Sequence, residues 1–122
     1  MELNGKALYF VAVKIFLRDE NKLLLTHDVW GNWELPGGRI QAHEFQKDLR
    51  GVVDRKLKQE LGNNIGYSDL KPTGTFFQVS RVENDIPVRI FAIGYEGKFQ
   101  GGDIKLGDNH DKFEWFDIDN FN

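Results

Sequence analysis

The chain predicts a mixed β-sheet with one amphipathic helix, an α+β or α/β sandwich. Three stretches carry that expectation. An alternating run near the N-terminus, "ALYFVAVKIFL", reads as a strand. Leu49, Val53, Leu57 and Leu61 recur every fourth residue, the spacing of one helix face. Two further runs flank "ENDI" and read as a hairpin.

In chain order, strands are expected at about Ala7–Arg18 and Lys22–His27, joined by an "RDEN" turn. Val11, Val13, Ile15 and Leu17 fall on one face, and Phe10, Ala12 and Phe16 on the other, so the first strand reads as buried on both sides. "NWELPGGRI" breaks regular structure at Pro36, and Gly37-Gly38 frees the backbone. The helix ends at Gly62-Asn63. Gly51 disfavours helix interior, so the start is expected either near Glu44, with a distortion, or near Val52. The hairpin strands are placed at roughly Thr73–Val82 and Pro87–Tyr95. Gly97 to Asp111 reads as a Gly- and Asp-rich loop, and "KFEWFDI" as a last strand. A packing helix usually follows such a strand, so a C-terminal segment is expected beyond it.

At 122 residues the chain fits one domain over 1–122. The net charge is -3 with basic residues scattered, which argues against a nucleic-acid partner. There is no cysteine, hence no disulfide framework and no thiolate metal site. No apolar run reaches membrane-spanning length and the N-terminus lacks signal-peptide order, so a cytoplasmic protein without membrane contact is expected.

"GRIQAHE" separates a glycine from a glutamate by five residues, and "RKLKQELG" follows on the helix. With the lead-in "WELPGG" and the late "FEWFDI", these segments resemble the Nudix family over most of the chain, in the right order. The resemblance implies a Nudix-like α/β/α sandwich with a mixed β-sheet. It implies a hydrolase that cleaves a diphosphate bond in a nucleoside diphosphate linked to another moiety, a small-molecule nucleotide-type substrate, using Mg²⁺ or Mn²⁺. Divalent cations neutralise diphosphate oxygens and activate water. Mg²⁺ takes oxygen ligands, which glutamates three and four residues apart present on one helix face.

Residue by residue, Gly38, Glu44, Arg55, Leu57, Glu60 and Gly62 match the family pattern. The resemblance makes Glu60 and Glu44 the metal ligands, and Glu60, Arg55 and Glu44 the catalytic set, with Arg55 orienting an acid. Gly37, Gly38, Arg39, Lys56 and Trp30 are the candidates for touching substrate. Two departures stand out. Lys56 and Gln59 occupy positions where the family places glutamates, and ten residues separate Glu44 from Arg55, more than the pattern has there. On a continuous helix Asp48 and Asp54 would each lie about 120° around from Glu60, and Glu44 about 160°. Glu44 therefore reaches the site only from a loop. Asp108, Asp111 and Glu114 are remote acids that could add ligands.

Lys56 reads either as an ammonium that contacts phosphate in place of a cation or as a solvated lysine loosely paired with Glu60. His110 is a candidate for proton transfer, whereas His27 and His43 read as lone histidines. Trp30, Trp33, Phe76 and Phe77 are candidates for stacking on a base, with Trp30 the best placed. No Cys nucleophile and no Gly-x-Ser-x-Gly supports acyl chemistry. Two functions follow: a metal-dependent hydrolase weakened by loss of two acids, or an inactive Nudix-like module that binds a nucleotide or a protein partner.

Overall fold

The computed structural model describes residues 2–120. A short ribbon, β1 (Glu2–Leu3) and β2 (Lys6–Ala7), precedes the main sheet. The first long strand, β3 (Phe10–Asp19), starts later than the sequence suggests. β4 (Lys22–Asp28) returns antiparallel to it across the expected turn. Two short strands follow, β5 (Trp33–Glu34) and β6 (Gly37–Arg39). The helix α1 (Leu49–Leu61) leads into the long hairpin of β7 (Ile65–Glu83) and β8 (Ile86–Gly102), and β9 (His110–Asp117) closes the sheet.

The sheet runs β5-β4-β3-β8-β7, with β6 paired to β3 and β9 to β4. β3 and β8 run parallel from Phe10 opposite Ile90 to Arg18 opposite Lys98, and the other pairings are antiparallel, so the sheet is mixed as expected. β3 shares one edge between two partners. β4 pairs only at Arg18 and Asp19, then departs to β9 and β5, while β6 takes the edge at Ala12–Lys14. The sheet opens where these strands part.

The principal core lies between sheet and helix: Val13, Ile15, Leu17 and Leu24 meet Val52, Val53, Leu57 and Leu61. Burying such aliphatic side chains contributes about 1.5–3 kcal/mol each. The opposite face carries a smaller cluster of Ala12, Ile90 and Ala92 with Phe77 and Val79. β3 is thus buried on both sides at its centre, but Phe10 is not: it is 39% exposed, beneath the Arg39 guanidinium at 4.6 Å from the ring centroid.

α1 begins at neither expected position. Asp48 caps it, accepting from Arg50 N at 2.9 Å, and this cap carries the helix start past Gly51. Glu44 lies ahead of the helix in a 3₁₀ turn, Ala42–Glu44. The hairpin turns through Asn84 and Asp85, both with positive φ, as a two-residue loop requires. Its arms are longer than expected, and the supposed loop from Gly97 is strand as far as Gly102. Gly97 is small for packing, since a Cβ there would meet Leu70 at 2.7 Å. The true loop, 103–109, caps the helix C-terminus: Lys105 N donates to Leu61 O (2.9 Å) and Gly107 N to Glu60 O (3.2 Å). After β9 the described residues hold a single 3₁₀ turn, Ile118–Asn120. Among the described residues no helix is long and apolar enough to cross a membrane.

Candidate functional site

A cleft of about 710 Å³ opens where β3 exchanges partners. Its wall at one end is built by Gly37. A Cβ there would meet the Val13 carbonyl oxygen at 2.0 Å, so only glycine lets β6 lie this close to β3. Gly37 N then donates to Glu60 Oε1 at 3.1 Å, which ties the strand to the last turn of α1. Lys56 lies one helical turn before Glu60. A Cβ on Gly38 would meet its Nζ at 2.6 Å, so the bare glycine leaves room for the ammonium.

The other walls come from distant parts of the chain. Lys14, from β3, donates to Leu35 O (3.2 Å) and stands 3.8 Å from Glu34 Oε2. Buried His110, at the start of β9, meets Glu34 Oε1 through Nε2 at 2.9 Å. Asp28 accepts from Trp30 N and Asn32 N, both at 2.9 Å, and so shapes the loop that presents Trp30. The Asn32 N–H is the main reason the Asp28 carboxyl titrates below its ordinary range. Trp30 is 73% exposed yet lines the cleft, whose apolar floor is Ala12, Val79, Ile90 and Ala92. Arg39 and Arg81 flank that floor, and Arg39 makes a two-pronged pair with Glu83, Nη1 to Oε1 at 3.1 Å.

Burial acts oppositely on the two helical groups. It raises the pKa of Glu60, against the lowering influence of the Gly37 N–H, His110, Lys14 and Lys56. It lowers that of Lys56, against the raising influence of Glu60. Lys56 makes no close ion pair with Glu60 among the described residues, but the two act on each other through space.

Glu44 lies ahead of the helix, as reaching the site required, and its side chain turns to Arg55. Its Oε2 accepts from Arg55 Nε and its Oε1 from Arg55 Nη2 and Gln41 N, all at 2.7 Å. The Arg55 guanidinium, followed by the Gln41 N–H, holds its pKa at about 2. It is 5% exposed and is not among the residues that line the cleft. Arg55 also reaches Gln59 Oε1 (3.4 Å) and Arg39 O (3.5 Å).

Among the described residues no three His, Cys, Asp or Glu side chains converge as metal ligands. Glu60 has two lysines for neighbours where a divalent cation needs further oxygens. The residues present do not fit a resident Mg²⁺ or Mn²⁺. Of the remote acids, Asp108 lines a smaller adjoining cavity with Lys56, Gln59 and Glu60. Asp111 pairs with His27 Nδ1 at 2.7 Å, and Glu114 sits on β9 opposite Leu25; neither lines a cavity near Glu60.

Gly37, Gly38, Arg39, Lys56 and Trp30 all line the main cleft, as does Glu60. Trp33 lines it too, packed edge-on against His27 and Phe116. Phe76 stacks on Phe91 and Phe77 packs on Phe16, and neither reaches the cleft. His43 is exposed beside Glu44 and also lies outside it. Sequence reasoning missed Lys14, Glu34, Asp28 and Arg81. One signal was available for Lys14: it interrupts "FVAVKIFL", an otherwise apolar run, and a charge inside a core strand calls for a partner.

The cleft and its helix are of a known kind. The family model of the NUDIX domain matches residues 8–122, and the chain belongs to that family. Among solved structures, it resembles a MutT NUDIX hydrolase from Burkholderia pseudomallei at 20% identity and TM-score 0.72, over 95% of this chain and 88% of that one. A MutT protein from Methanosarcina mazei Go1 gives 23% and 0.68, over 91% and 78%. An ADP-ribose pyrophosphatase from Streptococcus suis 89-1591 gives 17% and 0.62, over 93% and 78%. At these identities the likeness establishes the fold. No curated protein matches the chain.

Proposed function

We propose that the chain binds a nucleoside diphosphate, or a nucleotide carrying that group, and that it turns the ligand over slowly or not at all. The observation that carries this reading is the company of Glu60: Lys56 and Lys14 stand beside the one acid of the family pattern that remains on α1, where a hydrolytic NUDIX site needs carboxylates. Lysines bind phosphate oxygens well but do not activate water as a metal does. The diphosphate lies at the Gly38–Lys56 end, and the base lies over the apolar floor against Trp30. Arg39 and Arg81 flank the floor and contact the sugar or its substituent.

Metal-dependent hydrolysis is the second reading. It is favoured by the intact Arg55–Glu44 clamp and by the Gly37 N–H that holds Glu60. There Glu60 would take the metal and the catalytic role, Arg55 and Glu44 would position the helix, and substrate phosphates would complete the ligand shell.

The deciding experiment measures Mg²⁺- and Mn²⁺-dependent hydrolysis of nucleoside triphosphates, sugar nucleotides, dinucleotide polyphosphates and ADP-ribose, with thermal shift on the same panel. The expected result is stabilisation by at least one nucleotide without turnover. Turnover that disappears in Glu60→Gln would establish the hydrolase instead.

A further inference from the structure

The cleft's charge arrangement bears on which form of the ligand it takes, and this rests on the binding reading above. In solution a diphosphate exchanges between a free polyanion and a complex with Mg²⁺. A site built from carboxylates selects the complex, because the metal bridges two sets of anions. A site built from ammonium groups selects the free anion, because a bound Mg²⁺ cancels the charge the site recognises and adds repulsion.

The geometry is of the second kind. Lys56 occupies a position on α1 from which its ammonium lies against the bare α-carbon of Gly38, at the phosphate end of the cleft. Among the described residues no carboxylate forms a close ion pair with it, although Glu60 acts on it through space. Lys14 reaches toward the same point from β3, held by Leu35 O. The two lysines lie close enough to act on each other and on Glu60. Glu44, which could have drawn in a metal, is closed off by Arg55 and Gln41 N. Glu34, another carboxylate here, is already engaged by Lys14 and His110, so a divalent cation approaching Glu60 finds that carboxylate flanked by two ammonium groups. A diphosphate meets Lys56, with Lys14, shared with Glu34, behind it and Arg39 and Arg81 along the same cleft, an arrangement that suits an anion better than a cation.

We infer that the cleft takes its diphosphate in the metal-free form, with the Lys56 ammonium, backed by Lys14, in the place a bridging divalent cation would occupy. Lys56 and Lys14 are then the residues that set this preference, and Mg²⁺ acts as a competitor for the ligand rather than as a cofactor.

Calorimetric titration of ADP, GDP, CDP and UDP tests this, each in EDTA and in excess Mg²⁺. Binding is expected in EDTA for at least one of them, and weaker binding in Mg²⁺. Lys56→Gln and Lys56→Glu should weaken the EDTA affinity by about tenfold to a hundredfold, the range expected for losing one charged hydrogen bond. Lys56→Arg should recover part of the loss. Circular dichroism and thermal melts establish that each variant is folded, and Lys14→Gln provides a second, weaker loss if Lys56→Glu does not fold. Binding that requires Mg²⁺, or a folded Lys56→Gln with unchanged EDTA affinity, overturns the inference and leaves nucleotide binding standing. No binding under either condition overturns the binding reading and this inference with it.

Discussion

Glu60 and Glu44 both match acids of the NUDIX pattern, yet their surroundings give them opposite pH behaviour. Glu44 has its pKa held at about 2, from an ordinary 4.5, chiefly by Arg55. Its contribution to stability is therefore fully present above about 4.5 and lost as the pH falls toward 2. Arg55→Met removes the clamp, so the acid-unfolding midpoint followed by circular dichroism should move to higher pH. Glu60 is the reverse case. Burial raises its pKa, so its favourable contribution exists below the ordinary carboxyl range and fades as the pH rises through the raised value. Above that raised value an ionised Glu60 is a cost to the fold. Glu60→Gln is accordingly expected to raise the melting temperature at pH 7, and to tighten nucleotide binding in EDTA by removing a like charge. A lowered melting temperature with weaker binding would assign Glu60 a supporting role instead. A residue retained against stability is the usual mark of a working site.

At the level of elements, α1 holds the site because its two faces do different jobs. Leu57 is fully buried against the sheet, while Lys56 and Glu60 face the cleft. Leu57→Ala should cost about 2–5 kcal/mol, measured by urea unfolding. Gly37→Ala should act locally. The Val13 carbonyl excludes the added methyl, so β6 must leave β3 and the Gly37–Glu60 hydrogen bond must break. Nucleotide binding should be lost while the helical signal persists; retained binding would show that β6 does not build the cleft. The helix stripe, the first two strands and the centre of the hairpin were legible in the sequence, because 3.6- and 2-residue periods are local signals. The length of β8 was not. Gly97, Gly101 and Gly102 suggested a loop by composition, whereas Gly97 marks a close approach of Leu70 that only the folded sheet creates.

For the whole molecule, the decisive feature is the parting of β4 and β6 along one edge of β3. It lets the loop after β4, the start of β9 and the end of α1 meet around one cleft. Lys56→Glu combined with Gln59→Glu tests whether that scaffold still supports a metal. With Glu60 and Asp108 near, the double variant should gain an Mg²⁺-dependent rise in melting temperature that the natural chain lacks. Metal-dependent turnover should follow if the cleft is otherwise competent. A folded variant without that gain would mean that more than two acids separate this chain from a metal enzyme.

What the sequence determined by itself was the family, the mixed sheet with its helix, and the positions at which lysine and glutamine replace acids. These rest on residues close together in the chain, where period and spacing carry the information. Tertiary structure alone decided what the surviving acids do. Glu44 is turned to Arg55 by a 3₁₀ turn that no periodicity announces, and Glu34 meets His110 across 76 residues of chain. Lys14 joins Lys56 beside Glu60 because β3 and α1 pack together. Charge neighbours are set by packing, and packing is a property of the whole fold.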